Sequence, residues 1–301
     1  ADAFIIRDTR ILQWDDIRIP LHASTQCAIR DVESALWYEA SGCSRIILER
    51  ELSLDTIREI CAAVKCEVEF FVHGALCVCY SGECRLSEHI NGRSADKGDC
   101  IQACRSLYDL VDSNGRVLVK DKALLSLKDY NLRDRIEDLA EAGICSFKIE
   151  GRLKNASYVK NTVRHYSNIL DEFVHRNPEY RRASFGQVEG GFTPDPEITF
   201  NRGYTTCFIE GKRDVWNSQD AAKATGKCIG TVRRVSPGKN LVEVETSVRI
   251  ANGDGLMFAG NAGDPVGMRV EVARGDSLAV NAEIQRFFPE PAPVTYRAGD
   301  F

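Results

Sequence analysis

The sequence contains no run of apolar residues that approaches the roughly 20 needed to cross a bilayer, which argues against a membrane-spanning role. It begins at Ala1 and not at a methionine, so targeting is not judged from this end. Two motifs of hydrolytic enzymes are also missing: the Gly-x-Ser-x-Gly nucleophile elbow and the His-Glu-x-x-His zinc helix. A hydrolytic function therefore has no independent motif in its favour.

The sequence has little excess charge of either sign. It carries 44 acidic and 39 basic residues, a net charge of −5 at pH 7, which argues against a whole surface built to hold nucleic acid. A local basic groove stays compatible with this balance, because residues 148–182 carry eight basic side chains against four acidic ones. A solvated helix face is the simpler interpretation of that stretch.

Cysteine, in contrast, is abundant, with 12 residues. Disulfide frameworks belong to short secreted chains with small cores, and this chain of 301 residues is not short. Cys43, Cys61, Cys66 and Cys145 lie in or beside helix and strand patterns, as reduced core cysteines do. The composition therefore favours a cytoplasmic protein.

Short apolar runs alternate with segments of helical spacing, a pattern typical of βαβ units and a parallel sheet. The runs that predict strands are Phe4–Ile6, Ile19–Leu21, Arg45–Leu48, Val68–Val72 and Ser146–Ile149. Polar, reactive side chains follow nearly all of them: Asp8, His22, Glu49, Arg50, His73, Glu150 and Arg152. Since the carboxyl ends of parallel strands line the active site in such folds, these side chains are candidate site residues.

Five predicted strands are too few for a closed eight-stranded barrel, and the chain opens directly on a strand. We therefore predict an α/β fold, a (β/α) TIM-type barrel whose first units are missing. From about Phe200 the sequence changes to many glycines and short β-type runs, which predicts a small antiparallel β-barrel. The predicted domains are a partial barrel at 1–184 with a cysteine-rich insertion at 74–125, a connector at 185–226, and the small β-barrel domain at 227–301.

Four cysteines lie in one long segment between the strand that ends at His73 and the strand that begins at Ser146. They are Cys77, Cys84, Cys100 and Cys104, separated by six, fifteen and three residues. Four thiolates suit tetrahedral zinc or a cubane iron–sulfur cluster. Structural zinc sites pair their ligands about two to four residues apart, twice over, and only the last two cysteines are so paired, which favours iron–sulfur. Cys79 is interpreted as a packed thiol outside the set, and a nucleophilic cysteine activated by His73 or His89 is left open.

Longer motifs extend across nearly the whole chain. They are Leu21-His-Ala-Ser-Thr-Gln26, Glu69-Phe-Phe-Val-His-Gly-Ala-Leu-Cys77, Tyr80-Ser-Gly-Glu-Cys84, Gly98-Asp-Cys100, Gln102-Ala-Cys104-Arg105, Ser146-Phe-Lys-Ile-Glu-Gly-Arg152 and Phe200-Asn-Arg-Gly203. Together they resemble the motifs of the collagenase-like peptidase family U-32. The elements Gly92-Arg-Ser94, Leu125-Ser-Leu-Lys-Asp129 and Ser157-Tyr-Val-Lys-Asn161 resemble the branch of that family that hydroxylates a cytidine of large-subunit ribosomal RNA.

This resemblance implies a base-hydroxylating enzyme with a 4Fe-4S cluster, zinc being the alternative metal, and with prephenate as co-substrate. Its partners would be prephenate and ribosomal RNA before or during assembly, with no membrane involved. Other branches draw the fourth cluster ligand from a cysteine after a Lys-Asp-Leu run, where this chain has Asn131, so the resemblance makes Cys104 the fourth ligand. It also implies about three βα units before Ala1 and further chain beyond Phe301.

Candidate roles follow from that chemistry. Prephenate carries two carboxylates, which suit bidentate guanidinium groups, and the candidates are Arg50, Arg152 and Arg202. His73 and Glu150 are candidates for proton transfer. An unstacked base needs an aromatic neighbour, for which Tyr108 and Tyr158 are candidates, with a core role favoured for Tyr158.

Three other functions stay open. The first is a peptidase of family U-32. The second is a hydroxylase of the same family that acts on a tRNA uridine or in ubiquinone synthesis. The third is a metal-binding scaffold, which would leave the polar side chains at the strand ends without a function.

Overall fold

A computed structural model describes residues 1–186, 191–213, 215–218, 222, 224–259, 265–275 and 283–288. Its strands are β1 (Phe4–Ile6), β2 (Leu21–Ala23), β3 (Cys43–Ile47), β4 (Glu67–Gly74), β5 (Tyr108–Val111), β6 (Val117–Lys122), β7 (Asp129–Asn131), β8 (Ser146–Ile149), β9 (Tyr204–Thr205), β10 (Gly230–Ser236), β11 (Leu241–Thr246), β12 (Gly255–Ala259), β13 (Pro265–Arg269), β14 (Val272–Arg274) and β15 (Glu283–Phe288). Its α-helices are α1 (Val32–Ala40), α2 (Leu54–Ala63), α3 (Leu86–Asn91), α4 (Ile136–Glu141) and α5 (Ala156–Arg176). Short 3₁₀ turns lie at Thr9–Gln13, Thr25–Cys27, Ala95–Lys97, Ala103–Arg105, Arg133–Arg135, Pro196–Ile198 and Pro237–Lys239.

Strands β1, β2, β3, β4 and β8 form a parallel sheet in that order, and they correspond to the five predicted strands. Strand β7 pairs antiparallel with the end of β4, opposite His73 and Gly74, and β9 runs parallel to β7. The pairings among the described strands do not close into a ring. The parallel-rich α/β class is therefore confirmed, whereas the TIM-type barrel stays a prediction.

Local sequence explains these elements. Strand β4 is buried on both faces, with Val68, Phe70 and Val72 on one face and Glu69, Phe71 and His73 on the other, as expected for a strand covered on two sides. Helix α2 begins where the Ser53 hydroxyl accepts a hydrogen bond from the Thr56 amide at 3.2 Å. Its buried face carries Ile57.

The predicted second strand is shifted along the chain. It begins at Leu21 and not at Ile19, because Pro20 has no amide hydrogen for the β ladder. The Pro20 carbonyl instead accepts a hydrogen bond from the Phe4 amide at 3.0 Å. His22 consequently lies within β2 and not after its end, which corrects its predicted position.

The chain groups into two compact units. The first comprises residues 1–152, 166–189 and 202–222, as far as these are described, and contains the parallel sheet. Its core is formed by buried side chains of the sheet and of the helices α1, α2 and α4, including Ile46, Ile57, Phe70 and Leu139. Between β4 and β7 it also holds helix α3 and the antiparallel hairpin β5–β6, both within the predicted insertion at 74–125.

The second unit comprises residues 153–165, 190–201 and 223–301, as far as these are described. Its strands pair antiparallel in the order β10-β11-β15-β14 and, separately, β12-β13. Val244, Ile250, Met268 and Val270 form its buried core. The described strands do not close into a barrel, so the small β-barrel and the domain limits at 184 and 226 stay predictions.

Among the described helices, none is long and apolar enough to cross a membrane. The longest of them, α5, has 21 residues with basic and acidic side chains along its length.

Candidate active site

Polar side chains meet where β3, β4 and β8 end. Arg50, which follows β3, lies 3.2 Å from the Glu150 carboxylate, which follows β8, although the two residues are 100 positions apart. Arg50 also donates to the Ala75 carbonyl at 3.2 Å, and its guanidinium lies 3.8 Å from the centre of the Phe71 ring. The carboxyl edge of the sheet therefore brings two predicted site residues into direct contact.

Gly74 makes this approach possible. Its φ is +110°, and a Cβ atom at this position would lie 2.7 Å from the Glu150 Cβ. Any side chain here would push the end of β4 away from Glu150. The Glu150 amide donates to the His73 carbonyl at 2.9 Å, which fixes the backbone on both sides of the contact.

His73 lies deeper in the same edge, with only 1% of its surface exposed. Its Nδ1 lies 3.2 Å from the Tyr166 hydroxyl, which is also 2.9 Å from the Val72 carbonyl and 3.0 Å from Asn131 Oδ1. A phenol has one proton, so Tyr166 donates to one of those oxygens while a protonated Nδ1 donates to the phenol oxygen. Tyr166 thus orients the ring of His73, and its proton-transfer role stays a prediction.

We expect Tyr166→Phe to lower the free energy of unfolding by about 0.5–1.5 kcal/mol, because it removes the hydrogen bonds of a buried hydroxyl. The Val72 carbonyl and Asn131 Oδ1 keep the amides of Leu132 and Arg133 as donors, which limits the loss. Urea denaturation measures the change. Tyr180→Phe, at a partly exposed ring that packs on Phe173, is the matched control and should change the midpoint little. Equal midpoints for Tyr166→Phe and the unchanged chain would refute the orienting network.

A second charged group lies beside this edge. Arg202 and Asp129 form a buried ion pair at 3.1 Å, and the Arg202 Nε donates to the Ala222 carbonyl at 3.1 Å. The side chains of Arg202 and Asp129 are 7% and 4% exposed. A substrate carboxylate would have to compete with Asp129 for Arg202, so the substrate-binding role of Arg202 stays a prediction.

Arg105 is a residue of this region that the sequence interpretation left without a role. It donates to the Leu76 and Leu127 carbonyls, each at 2.6 Å, and to the Ser126 hydroxyl at 2.9 Å. Burial lowers the pKa of Arg105, and the neighbouring positive charge of Arg202 lowers it further. The role of Arg105 could have been predicted from its position directly after Cys104, because an arginine beside a thiolate neutralises the charge of the thiolate.

The four predicted ligands lie in the segment that Arg105 ties to the sheet. Burial raises the pKa of the Cys104 thiol, negative charge on Cys77, Cys100 and Cys84 raises it further, and Arg105 lowers it. The Cys104 thiol is therefore within electrostatic reach of the other three. Within the described part of the chain, however, no three His, Cys, Asp or Glu side chains lie in a metal-ligating arrangement. The donor chemistry fits a four-thiolate group, and the ligand set stays a prediction.

All twelve cysteines lie in the described part of the chain, and none forms a disulfide. The four predicted to be core residues differ in their surroundings. Cys43 is buried, Cys61 and Cys66 are half-buried, and Cys145 is exposed. The prediction was wrong for Cys145, because it precedes β8 at the edge of the packed core.

A cavity of about 160 Å³ adjoins the cysteine segment. Its lining residues are Glu51, Leu76, Cys77, Val78, Cys79, Tyr80, Cys207, Phe208, Arg213 and Trp216. Four of these residues were not predicted for the site, because nothing in their sequence indicates that the chain returns to the β4 end: Cys207, Phe208, Arg213 and Trp216.

Two predicted residues of the first unit, Arg152 and Tyr108, do not line this cavity. Arg152 is exposed, its amide donates to Glu150 Oε1 at 3.1 Å, and its guanidinium donates to the Gly98 carbonyl at 3.3 Å. Tyr108 begins the hairpin β5–β6, and its hydroxyl donates to the Ala103 carbonyl at 2.7 Å. Tyr158 belongs to the second unit and is 2% exposed. The roles predicted for these residues stay predictions.

Residues 1–219 match the peptidase family U32. Over 256 residues, 85% of this chain and 39% of the relative, the chain is 46% identical to the 23S rRNA 5-hydroxycytidine C2501 synthase of Escherichia coli (strain K12). It is 32% identical over 269 residues to tRNA hydroxylation protein P1 of Bacillus subtilis (strain 168). The aligned region covers 86% of this chain and 62% of the relative. It is 27% identical over 290 residues to a collagenase of Porphyromonas gingivalis (strain ATCC BAA-308 / W83), covering 90% of this chain and 68% of the relative.

The chain thus spans 39% to 68% of the length of these three relatives. No solved structure matches the chain.

Proposed function

The chain belongs to peptidase family U32, and on that basis we propose that it is part of an enzyme that hydroxylates a cytidine of ribosomal RNA. The observation that carries this proposal is the 46% identity to the 23S rRNA 5-hydroxycytidine C2501 synthase. Relatives named as tRNA hydroxylation proteins support the same reaction class on a different RNA. A cytoplasmic location follows from a ribosomal substrate.

Cys77, Cys84, Cys100 and Cys104 would hold a 4Fe-4S cluster in this enzyme, and zinc is the alternative. Hydroxylation of a pyrimidine carbon is redox chemistry that side chains do not perform alone, and a bound cluster supplies electron transfer. Arg105 and Arg50 support this assignment, because both lower the pKa of Cys77 by their positive charge, against the burial that raises it.

Prephenate is the proposed co-substrate. Arg50 is the best-placed of the three candidate arginines, because its guanidinium lies over the Phe71 ring at the carboxyl edge and its Nε donates no hydrogen bond to any described residue. Glu150 and His73, joined through the backbone hydrogen bond between them, are the groups at this edge that can accept or deliver a proton.

The test is nucleoside mass spectrometry of ribosomal RNA from two strains. In one the gene is deleted, and in the other the deletion is complemented with the full-length gene. We expect hydroxycytidine to disappear in the deletion strain and to return with the unchanged gene, but not with Glu150→Gln. Glu137→Gln, on the exposed side of α4, is the control with the same loss of charge and should restore the product. Unchanged hydroxycytidine in the deletion strain would refute the substrate assignment.

A peptidase is the second candidate, supported by the relatives named as a collagenase and as an uncharacterized protease. Incubation of the purified full chain with gelatin distinguishes the two. Gelatin cleavage without iron, together with unchanged hydroxycytidine in the deletion strain, would favour the peptidase.

A further inference from the structure

A second and wider cleft lies where β3 ends and α2 begins. It encloses about 460 Å³ and lies within the first unit. Its lining residues are Arg30, Glu49, Glu51, Leu52, Ser53, Thr56, Tyr80, Phe208 and Gly211. Two carboxylates and two aromatic rings therefore face one space, at the edge of the sheet where α/β folds bind their ligands.

Glu49 is the unusual member of this set. It is 2% exposed, and no hydrogen bond from any described residue reaches its Oε2. Arg30 Nε lies 3.1 Å away as an ion pair, but it is not aligned for a hydrogen bond. Burial raises the pKa of Glu49 to about 7, and the negative charges of Glu51 and Glu83 raise it while Arg30 lowers it. A buried carboxylate oxygen that has an ion pair but no aligned hydrogen bond favours a ligand that donates one.

The aromatic wall is held in place. The Ser81 hydroxyl donates to Glu51 Oε2 at 3.2 Å, which ties the turn that carries Tyr80 to the cleft. The guanidinium of Arg30 lies 5.4 Å from the centre of the Tyr80 ring and donates to Glu83 at 2.6 Å. Tyr80 nevertheless keeps 53% of its surface exposed, so a flat ligand can reach its face.

The cleft borders the cysteine region. It shares Glu51, Tyr80 and Phe208 with the cavity of about 160 Å³ that Cys77 lines. A ligand in the cleft would therefore lie beside the proposed cluster.

The chemistry of the lining selects the ligand. Two carboxylates disfavour prephenate, which is itself a dicarboxylate, so the cleft differs from the Arg50 site. A carboxylate accepts hydrogen bonds from the exocyclic amino group of cytosine, whereas uracil presents a carbonyl oxygen there. Unstacked bases bind on aromatic side chains.

We propose that this cleft holds the unstacked target cytosine, with its amino group donating to Glu49 and its ring against Tyr80. This inference rests on the proposed function and names the residues that distinguish cytidine from uridine.

The test compares binding of two fluorescent oligoribonucleotides of about ten nucleotides, one of cytidine and one of uridine, to the purified full chain by anisotropy. We expect the cytidine oligomer to bind about tenfold more tightly. Glu49→Leu should abolish the preference while binding of the uridine oligomer stays unchanged. Glu59→Leu, at an exposed position of α2, is the matched control and should keep the preference.

Tyr80→Ala keeps the test decisive if Glu49→Leu fails to fold, because Tyr80 is largely exposed and its loss should weaken both oligomers about tenfold. Equal affinity of the unchanged chain for both oligomers would overturn the proposal. So would a lysine-rich peptide that binds in a Glu49-dependent way while the cytidine oligomer does not, because the cleft would then be a peptide site.

The hydroxycytidine assay separates this proposal from the proposed function. Product formed at the normal level by Glu49→Leu would overturn the cleft assignment and leave the enzyme assignment intact. A Glu49-dependent preference for cytidine in a chain that forms no hydroxycytidine would support the cleft and refute the hydroxylase.

Discussion

Serine in place of any one of Cys77, Cys84, Cys100 or Cys104 is expected to abolish both iron binding and hydroxycytidine formation. The anaerobically purified full chain should be brown and carry about four irons, whereas each variant should retain less than about one. The physical reason is that a hydroxyl is a poor ligand for iron of a cluster, and loss of one thiolate opens the cluster to solvent. Metal analysis and nucleoside mass spectrometry measure the two outcomes.

Two further cysteines serve as controls for this experiment. Cys228→Ser, at an exposed position in the second unit, should keep both iron and activity. Cys79→Ser is the sharper comparison, because the charges of Cys84 and Cys77 both act on the Cys79 thiol. Iron lost in Cys79→Ser and kept in Cys104→Ser would show that the predicted ligand set is wrong. A colourless full chain with one zinc would refute the redox role.

Asp129→Ala is expected to lower the free energy of unfolding by about 3–5 kcal/mol. Asp129 accepts hydrogen bonds from both the amide and the guanidinium of Arg202, and neither side chain is more than 7% exposed. Its removal leaves Arg202 buried without the Asp129 carboxylate, close to the half-buried guanidinium of Arg105. Urea denaturation of the full chain measures the effect.

Two comparison variants distinguish the destabilisation caused by an uncompensated buried charge from that caused by lost contacts alone. Asp138→Ala removes a partly exposed partner of Arg135 and should cost less than about 1 kcal/mol. The double variant Asp129→Leu with Arg202→Met should recover much of the loss, because it removes both charges from the interior. If Asp129→Ala unfolds at the midpoint of the unchanged chain, Arg202 is not stabilised by this pair, and its availability to a substrate carboxylate gains support.

The parallel sheet could be predicted because each of its strands corresponds to a short run of mostly apolar residues in the sequence. Strand β4 shows this best, since four of the five residues from Val68 to Val72 are apolar, as a strand buried on both faces requires, and this predicted run lies inside the observed Glu67–Gly74. Arg50 and Glu150 could be proposed as site residues for a similar reason. Each directly follows a strand, and parallel strands bring their carboxyl ends to one edge.

Pairings between distant segments could not be predicted. Strand β7 has three residues and packs antiparallel on the end of β4, and no pattern in Asp129–Asn131 indicates that partner. The same holds for Phe208 and Glu49, which line one cleft although more than 150 positions separate them in the chain. Contacts of this kind depend on the path of the chain through space, which local composition does not encode.

The sequence by itself determined the α/β class with its parallel strands, the family, and the gathering of Cys77, Cys84, Cys100 and Cys104 in one segment. These are properties of local pattern and of motif spacing. Only the tertiary structure decided that Arg50 meets Glu150, that Arg105 ties the cysteine segment to the sheet, and that Glu49 lies buried in a cleft with aromatic walls. Burial and charge pairing depend on which distant groups pack together, and that information appears only when the chain is folded.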